Sequence, residues 1–425
     1  MKIILNSSSP ETLSGYGIVC KELIRRLRNA GHFVRIATKH PSEHWRYYID
    51  REQAGGHLRN ARIWTEKRKW DDALIALDKA YEEVEGTEIY DGTYPVANDM
   101  LEEEDFDYIF TLWDIWQIKH KGLIVYPKDK WVAYVPIDTE WIADDLAEVC
   151  HKAGFHIAMS RHGERELRSI GINPFYAPPG IDTKAFRPDK EARDRFRKDF
   201  GWADENFIIG SVGLNYGDDR KGFIPLMQAF KNFHDRHKEA KLYLHTHASG
   251  KYPGTINYVR IAKKIGIDDD LIAWPHQPSN DIGRIDKEWL NDVYNGFDVF
   301  CLPSRGEGFG LPILESQACG VPIITTDTTT GDEFVGKPGT GWLIPARQDH
   351  LRYLPTNTFR YEVGMEGVLD CLESAYNAWK YSCLDQLKRR AREFAIGYDW
   401  DFVWEKYWRK IFETLETIRI CKGWF

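Results

Sequence analysis

The sequence predicts an α/β protein built from two units, each with a parallel sheet. Apolar runs of strand length alternate with helix-period segments through the second half of the chain, the pattern of a parallel sheet covered on both faces. The front of the chain opens as strand, loop, helix, strand. The length, 425 residues, is too great for one ordinary domain and suits two of moderate size.

Lys2 to Asn6 reads as a short buried strand, followed by a polar loop from Ser7 to Gly17. Val19, Leu23, Leu27 and Ala30 then recur at helical spacing, and Gly31 suits the end of that helix. Phe33 to Thr38 is the next strand. Residues 41–105, rich in Trp, Tyr, Arg and Glu, read as a helical insertion with loops. Asp107–Leu112, Trp131–Ile137 and His156–Met159 read as further strands, with a helix from about His162 to Ile170. Ala177-Pro178-Pro179-Gly180-Ile181-Asp182 resists both helix and sheet and marks the connection between units. Beyond it, strands are expected at Phe207–Val212, Lys241–His245, Leu271–Trp274, Asp298–Leu302 and Val321–Thr325. Helices are expected at Phe223–His237, Thr255–Ile265, Lys287–Phe297 and Leu311–Cys319. From Tyr398 onward a helical tail carries Trp400, Trp404, Tyr407 and Trp408. The boundaries drawn are 1–183, 184–397 and 398–425.

Bulk properties exclude several classes. A net charge of −8 gives no basic field for nucleic acid. The seven cysteines are scattered and odd in number, which argues against a disulfide framework or a zinc site and for a reducing compartment. The opening apolar run is too short for a signal peptide, and no apolar stretch reaches the ~18 residues that span a bilayer. A cytoplasmic protein is the expectation.

The most informative string is Ser304-Arg305-Gly306-Glu307-Gly308-Phe309-Gly310-Leu311-Pro312-Ile313-Leu314-Glu315. It follows a strand and opens a helix in which Pro312 fits the first turn. Its glycines stand at the carboxyl end of a parallel strand, where open α/β sheets bind ligands. The helix start offers free N–H groups to an anion, and glycines let a diphosphate approach the backbone. Glu307 and Glu315 are good acceptors for sugar hydroxyls but repel phosphate, so their partners would be the hexose and the ribose. Alternatively, each is simply an acid favourable to the helix dipole.

This string resembles family 4 of the retaining glycosyltransferases, whose second domain carries a Glu-x7-Glu motif. The resemblance extends through Ser316–Asp327, more weakly through Gly341–Pro345, and to Ser211-Val212-Gly213, Arg220-Lys221-Gly222, Gly180-Ile181-Asp182, Phe186-Arg187-Pro188 and the N-terminal glycine loop with Gly31-His32. It implies two Rossmann-like domains facing a central cleft (the GT-B type), with the C-terminal helical segment crossing back onto the first. It also implies a nucleoside-diphosphate sugar as co-substrate, held mainly by the second domain, with no permanently bound cofactor. Glu307 would bind the donor sugar, Glu315 the ribose, and Gly308, Phe309, Gly310 and Leu311 the rest of the donor.

Arg220 and Lys221, in a strand-to-helix loop, can neutralise a departing diphosphate, or be a solvated basic pair. A basic residue that the family often carries near Leu214 or Asn215 is absent, leaving Arg220 as its substitute. Gly15-Tyr16-Gly17 resembles the glycine loop that lies across the cleft from the donor; a plain tight turn is the alternative. Where the family often shows a histidine, this chain has Asp138, able to orient or deprotonate the acceptor hydroxyl, or else to cap a helix near Trp141. His276, in Trp274-Pro275-His276-Gln277-Pro278, matches the family's base-contacting loop. His245 and His247 read as polar cleft-lining residues without a third metal ligand. Asp144-Asp145 and Asp218-Asp219 are poor metal clamps, so no metal site is expected. Arg25, Arg26 and Arg28 form a basic helix face, either solvated or in peripheral contact with an anionic membrane.

The function expected is transfer of a hexose from the nucleotide sugar to a hydroxyl of a sugar, glycan, lipid or small-molecule acceptor, with retention of configuration. An epimerase or phosphorylase on the same architecture, or a non-catalytic nucleotide-sugar binding protein, are the alternatives.

Overall fold

The computed structural model describes residues 1–8, 15–38, 89–91, 106–120, 126–215, 217–250, 254–275 and 287–422. Two wholly parallel sheets organise them. The first has seven strands in the order β3-β2-β1-β4-β5-β6-β7. These are β1 (Lys2–Ser7), β2 (Phe33–Thr38), β3 (Ile89–Asp91), β4 (Tyr108–Leu112), β5 (Trp131–Val135), β6 (Phe155–Ala158) and β7 (Phe175–Tyr176). The second has six, in the order β10-β9-β8-β11-β12-β13. These are β8 (Phe207–Val212), β9 (Ala240–His245), β10 (Ile272–Ala273), β11 (Val299–Leu302), β12 (Ile323–Thr326) and β13 (Gly341–Ile344).

The central strands read as continuous apolar runs because both their faces are covered. All five residues of β4 and of β5, and all six of β8, are buried. In both sheets the chain starts at the middle, winds outward one way, then returns to wind the other way. The order therefore reverses between β1 and β4 and between β8 and β11, and a crevice opens there at the strands' carboxyl ends.

The tail crosses back to the first sheet. Ile181 forms a parallel bridge with Asp399, and helical turns then run from Trp400 to Lys422, with a π-helical stretch at Trp404–Trp408. Trp408 meets Tyr134 edge-on at 4.9 Å, and its indole N–H donates to the Pro178 carbonyl. Phe412 packs on Phe110 at 5.2 Å, and the Tyr108 hydroxyl donates to the Leu415 carbonyl at 2.8 Å. Ile3, Leu5 and Phe110 share one buried cluster with Trp404, Phe412 and Leu415.

Three local expectations need correction. Ile89–Asp91, inside the range read as a helical insertion, is a strand paired to β2; the remainder of 41–105 lies outside the described residues. Gly15, Tyr16 and Gly17 are not in a loop but form the first turn of helix Gly15–Asn29. A two-stranded antiparallel hairpin, β14 (Arg347–Tyr353) and β15 (Phe359–Glu362), follows β13 and had no counterpart in the sequence reading. Each strand carries only two alternating apolar or aromatic residues, Leu351 and Tyr353 on β14 and Phe359 and Tyr361 on β15, too short a run to announce a strand.

The arginines of the first helix do not make a free basic face. Arg26 is buried, pairs with Glu22 and reaches Asp401 of the tail at 2.6 Å, while Arg25 also pairs with Glu22. Among the described residues, no helix is long and apolar enough to cross a membrane.

Candidate active site

Four segments leave the two reversal points: helix Gly15–Asn29 after β1, Trp113-Asp114 after β4, the 213–222 loop after β8, and the 303–310 loop after β11. The sheets present these ends to each other. Where the halves meet, the 303–310 loop lies directly on the segment after β5. A Cβ on Gly306 would stand 2.1 Å from the Asp138 carbonyl oxygen, and one on Gly308 would stand 2.6 Å from the Pro136 Cβ. Only glycine allows this approach. A Cβ on Gly15 would stand 3.6 Å from the Leu311 Cδ1.

The second half brings Lys221 and Glu307 together. The Lys221 Nζ donates to the Glu307 carboxylate at 2.6 Å, and both side chains are buried. Burial alone would push the Glu307 carboxyl up, but the Lys221 and Arg220 cations overcome it and hold it at about 2. Burial, with Arg220 beside it, draws the Lys221 ammonium down to about 8 despite its carboxylate partner. At neutral pH both groups are charged. Arg220 donates to the Gly306 carbonyl at 2.6 Å, and its guanidinium lies 3.6 Å from both Glu307 and Asp138. Arg220 thus stands beside the Lys221–Glu307 pair as a second cation.

Two helices start at this face, and only one offers its N–H groups. Helix Phe223–Arg236 is already capped, because Asp219 accepts from the N–H groups of Phe223 and Ile224 at 3.0 and 3.2 Å. Asp219 also accepts from the Tyr258 hydroxyl at 2.9 Å, so it is structural. Helix Leu311–Ala318 begins after Gly310, whose φ is +99°, with proline in its first turn and no side-chain cap.

The remaining predicted residues divide. Phe309 turns inward, edge-on to Phe334 at 5.0 Å, so only its backbone is available to a ligand. Glu315 is buried, with one oxygen accepting from the Tyr294 hydroxyl at 2.8 Å, and burial raises its carboxyl to about 7. Asn215 binds the His247 and Ile256 carbonyls and the Ile256 N–H, tying loops together. His245 is buried against Trp289, its Nδ1 is 3.1 Å from the Tyr243 hydroxyl, and burial draws its ring down to about 3. His276 lies outside the described residues. Among the described residues, no group of three or more His, Cys, Asp or Glu side chains is arranged to hold a metal ion.

Asp138 is not a helix cap. The next helix is Asp144–Cys150, with Ala143 at its cap position. Instead the Asp138 carboxylate accepts from Arg360 of β15 at 2.7 Å. Asp114, missed in the sequence, joins the same cleft. It accepts from the Gln117 side chain at 2.8 Å, and beside it Trp113 meets Tyr16 edge-on. Burial and the Asp138 carboxylate push Asp114 up to about 6, against hydrogen bonds from Tyr16 and Gln117 and the charge of Arg220.

Solved structures share this fold. Sucrose-phosphate synthase from Thermosynechococcus elongatus superposes over 98% of this chain and all of its own with a TM-score of 0.66, at 17% identity. Anabaena HepE in complex with UDP-glucose does so over the same shares with a TM-score of 0.66, at 13% identity. The fold is of the GT-B type. Within this GT-B chain, residues 206–352 match the family model described as Glycosyl transferases group 1. A D-inositol 3-phosphate glycosyltransferase from Segniliparus rotundus is 29% identical over 147 residues, 35% of this chain and 30% of that protein. A GDP-mannose-dependent alpha-(1-6)-phosphatidylinositol monomannoside mannosyltransferase from Mycolicibacterium smegmatis is 30% identical over 174 residues, 39% of this chain and 42% of that protein. The chain thus spans less than half the length of these curated relatives.

Proposed function

We propose that this chain is a retaining glycosyltransferase that moves a hexose from a nucleoside-diphosphate sugar to an acceptor hydroxyl. The observation that carries this reading is the buried Lys221–Glu307 pair, flanked by Arg220 and facing Asp138 of the other half. The donor's diphosphate would lie along Lys221, Arg220 and the start of helix Leu311–Ala318, with its hexose hydroxyls on Glu307 and its ribose on Glu315. When the bond from the sugar's anomeric carbon to the diphosphate breaks, the electron pair leaves on phosphate. The cations meet that charge as it develops. Asp138 would orient the acceptor hydroxyl and take its proton as the hydroxyl oxygen bonds to the anomeric carbon on the same face.

The matched relatives support a nucleotide sugar as donor, since one is named for GDP-mannose and a solved neighbour holds UDP-glucose. The domain limits near residues 183 and 397, with the acceptor on the first domain, belong to this same proposal. The deciding experiment has two steps. A thermal-shift screen against UDP-, GDP- and ADP-sugars identifies the donor, since a ligand at ~100 times its Kd stabilises by about 2.7 kcal/mol. Product formation is then followed, and the anomeric configuration read by NMR. Activity is expected to persist after exhaustive EDTA treatment, because protein cations stand where a metal would neutralise the diphosphate. Binding of a nucleotide sugar without turnover, release dependent on inorganic phosphate, or an inverted product would each overturn the reading.

A further inference from the structure

The hairpin β14–β15 belongs to the second half by chain order, yet its tip side reaches the first half at one place. Phe359 and Arg360 grip residues 138–141. The Arg360 guanidinium donates to the Asp138 carboxylate at 2.7 Å and to the Asp138 carbonyl at 3.2 Å, fixing both ends of one residue. The Glu140 N–H donates to the Phe359 carbonyl at 3.4 Å, and Trp141 meets the Phe359 ring edge-on at 4.7 Å. The hairpin is also tied to the donor-side loops. Glu362 accepts from Arg305 at 2.6 Å, and Arg360 reaches Asp218 at 3.4 Å. The match to the group 1 family ends at residue 352, before β15 begins.

We propose that Arg360 is a positioning residue, and that its hairpin is a clasp which sets Asp138 only when the two halves are together. The inference rests on the reading of Asp138 as the acceptor-facing residue. Asp138 has two guanidinium neighbours, Arg360 at 2.7 Å and Arg220 at 3.6 Å. Arg220 is the one a donor diphosphate would recruit, because it already lies on the Lys221–Glu307 side. Arg360 then stays as the partner that holds the Asp138 carboxylate in one orientation, through a planar fork that pins geometry as well as charge. Opening the cleft withdraws Arg360 and frees Asp138. Acceptor handling is thereby made conditional on closure.

Two measurements on the full chain test this. Hydrogen–deuterium exchange needs no substrate: Arg360→Ala should speed exchange across residues 136–141 by about tenfold, because a local contact that limits opening is gone. Unchanged exchange there would overturn the clasp. Kinetics follow release of UDP from UDP-glucose or of GDP from GDP-mannose as the hexose passes to water or to D-inositol 3-phosphate. Arg360→Ala should lower kcat about tenfold with nucleoside-diphosphate affinity unchanged, and Arg360→Lys should recover part of the loss. The double variant Asp138→Asn/Arg360→Ala should be no slower than Asp138→Asn alone, since one residue acts through the other. Full additivity, or a wild-type rate in Arg360→Ala when Asp138→Asn is impaired, would overturn the inference. A wild-type rate in Asp138→Asn would instead overturn the reading of Asp138. Arg360→Lys and the melting temperature identify any variant that fails merely by misfolding.

Discussion

Lys221 and Glu307 sit 86 positions apart in the chain and 2.6 Å apart in space, one after β8 and the other after β11. Adjacent parallel strands bring them to the same end of the same sheet, and their burial keeps water from screening the pair. Removing Glu307 strands Lys221 as a buried cation, and removing Lys221 leaves Glu307 with only Arg220, at 3.6 Å.

Glu307→Gln is therefore expected to lower turnover at least tenfold, about 1.4 kcal/mol of transition-state stabilisation, while nucleoside diphosphate still binds. Lys221→Ala and Arg220→Ala should lower turnover and also weaken donor binding, because they meet charge that grows as the bond breaks. Steady-state kinetics at saturating donor checks all three. Unchanged turnover in both alanine variants would mean that the diphosphate is held elsewhere.

The pH profile offers a second check. With its ammonium drawn down to about 8, Lys221 loses its charge as pH rises through that value in the free protein. The ratio kcat/KM, which reports the free enzyme, should fall on an alkaline limb near pH 8. A bound diphosphate favours the charged form, so the limb in kcat should lie higher. Lys221→Arg should remove the limb from both profiles; its persistence in that variant would assign it to another group.

Asp138→Asn separates two roles. Asn caps helices as well as Asp, but no helix begins at Asp138, and the partner lost is the Arg360 guanidinium. Transfer should be impaired while donor binding, followed by thermal shift, remains close to wild type. Equal loss of both would mean that the residue shapes the donor site.

Glu315 makes a prediction about stability. Its carboxyl is raised to about 7 by burial, above the 4.5 of an unfolded chain. Below pH 4.5 both states are protonated and nothing is lost. Between those values the unfolded chain ionises first, so folding becomes less favourable as pH rises, by about 3 kcal/mol in total. Glu315→Gln cannot ionise. Chemical denaturation should therefore find it gaining on wild type between pH 5 and 7.5, and a pH-independent difference would refute the assignment.

How much of this was visible in the sequence varies with the physics. The buried strands of both sheets were legible because each is a short apolar run closed by turn residues. The loop at Glu307 was legible because its glycines and Pro312 have backbone reasons to be there. Lys221 and Glu307 could both be named, but not their contact, which depends on strand order. Arg360 left no trace, since β15, Phe-Arg-Tyr-Glu, is only four half-buried residues long, too short for its alternation to count. Asp114 was hidden differently: its distinction is burial among Tyr16, Gln117 and Asp138, which only tertiary structure supplies. Gly15-Tyr16-Gly17 read as the end of a glycine loop because closely spaced glycines usually belong to one, yet here the helix simply starts early.

The crossing tail has a consequence for biosynthesis. Trp408, Phe412 and Leu415 are each no more than 3% exposed, and they cover the same face of the first sheet as Tyr134 and Phe110. A ribosome delivers that sheet early and those three residues late. Domains ordinarily fold as they emerge, the N-terminal one first. Here the first-made half must wait, with an aromatic face uncovered, while the second half is synthesised and folds. Its order of completion is the reverse of its order of translation, and a stalled or shortened nascent chain exposes to chaperones the surface that the finished protein conceals.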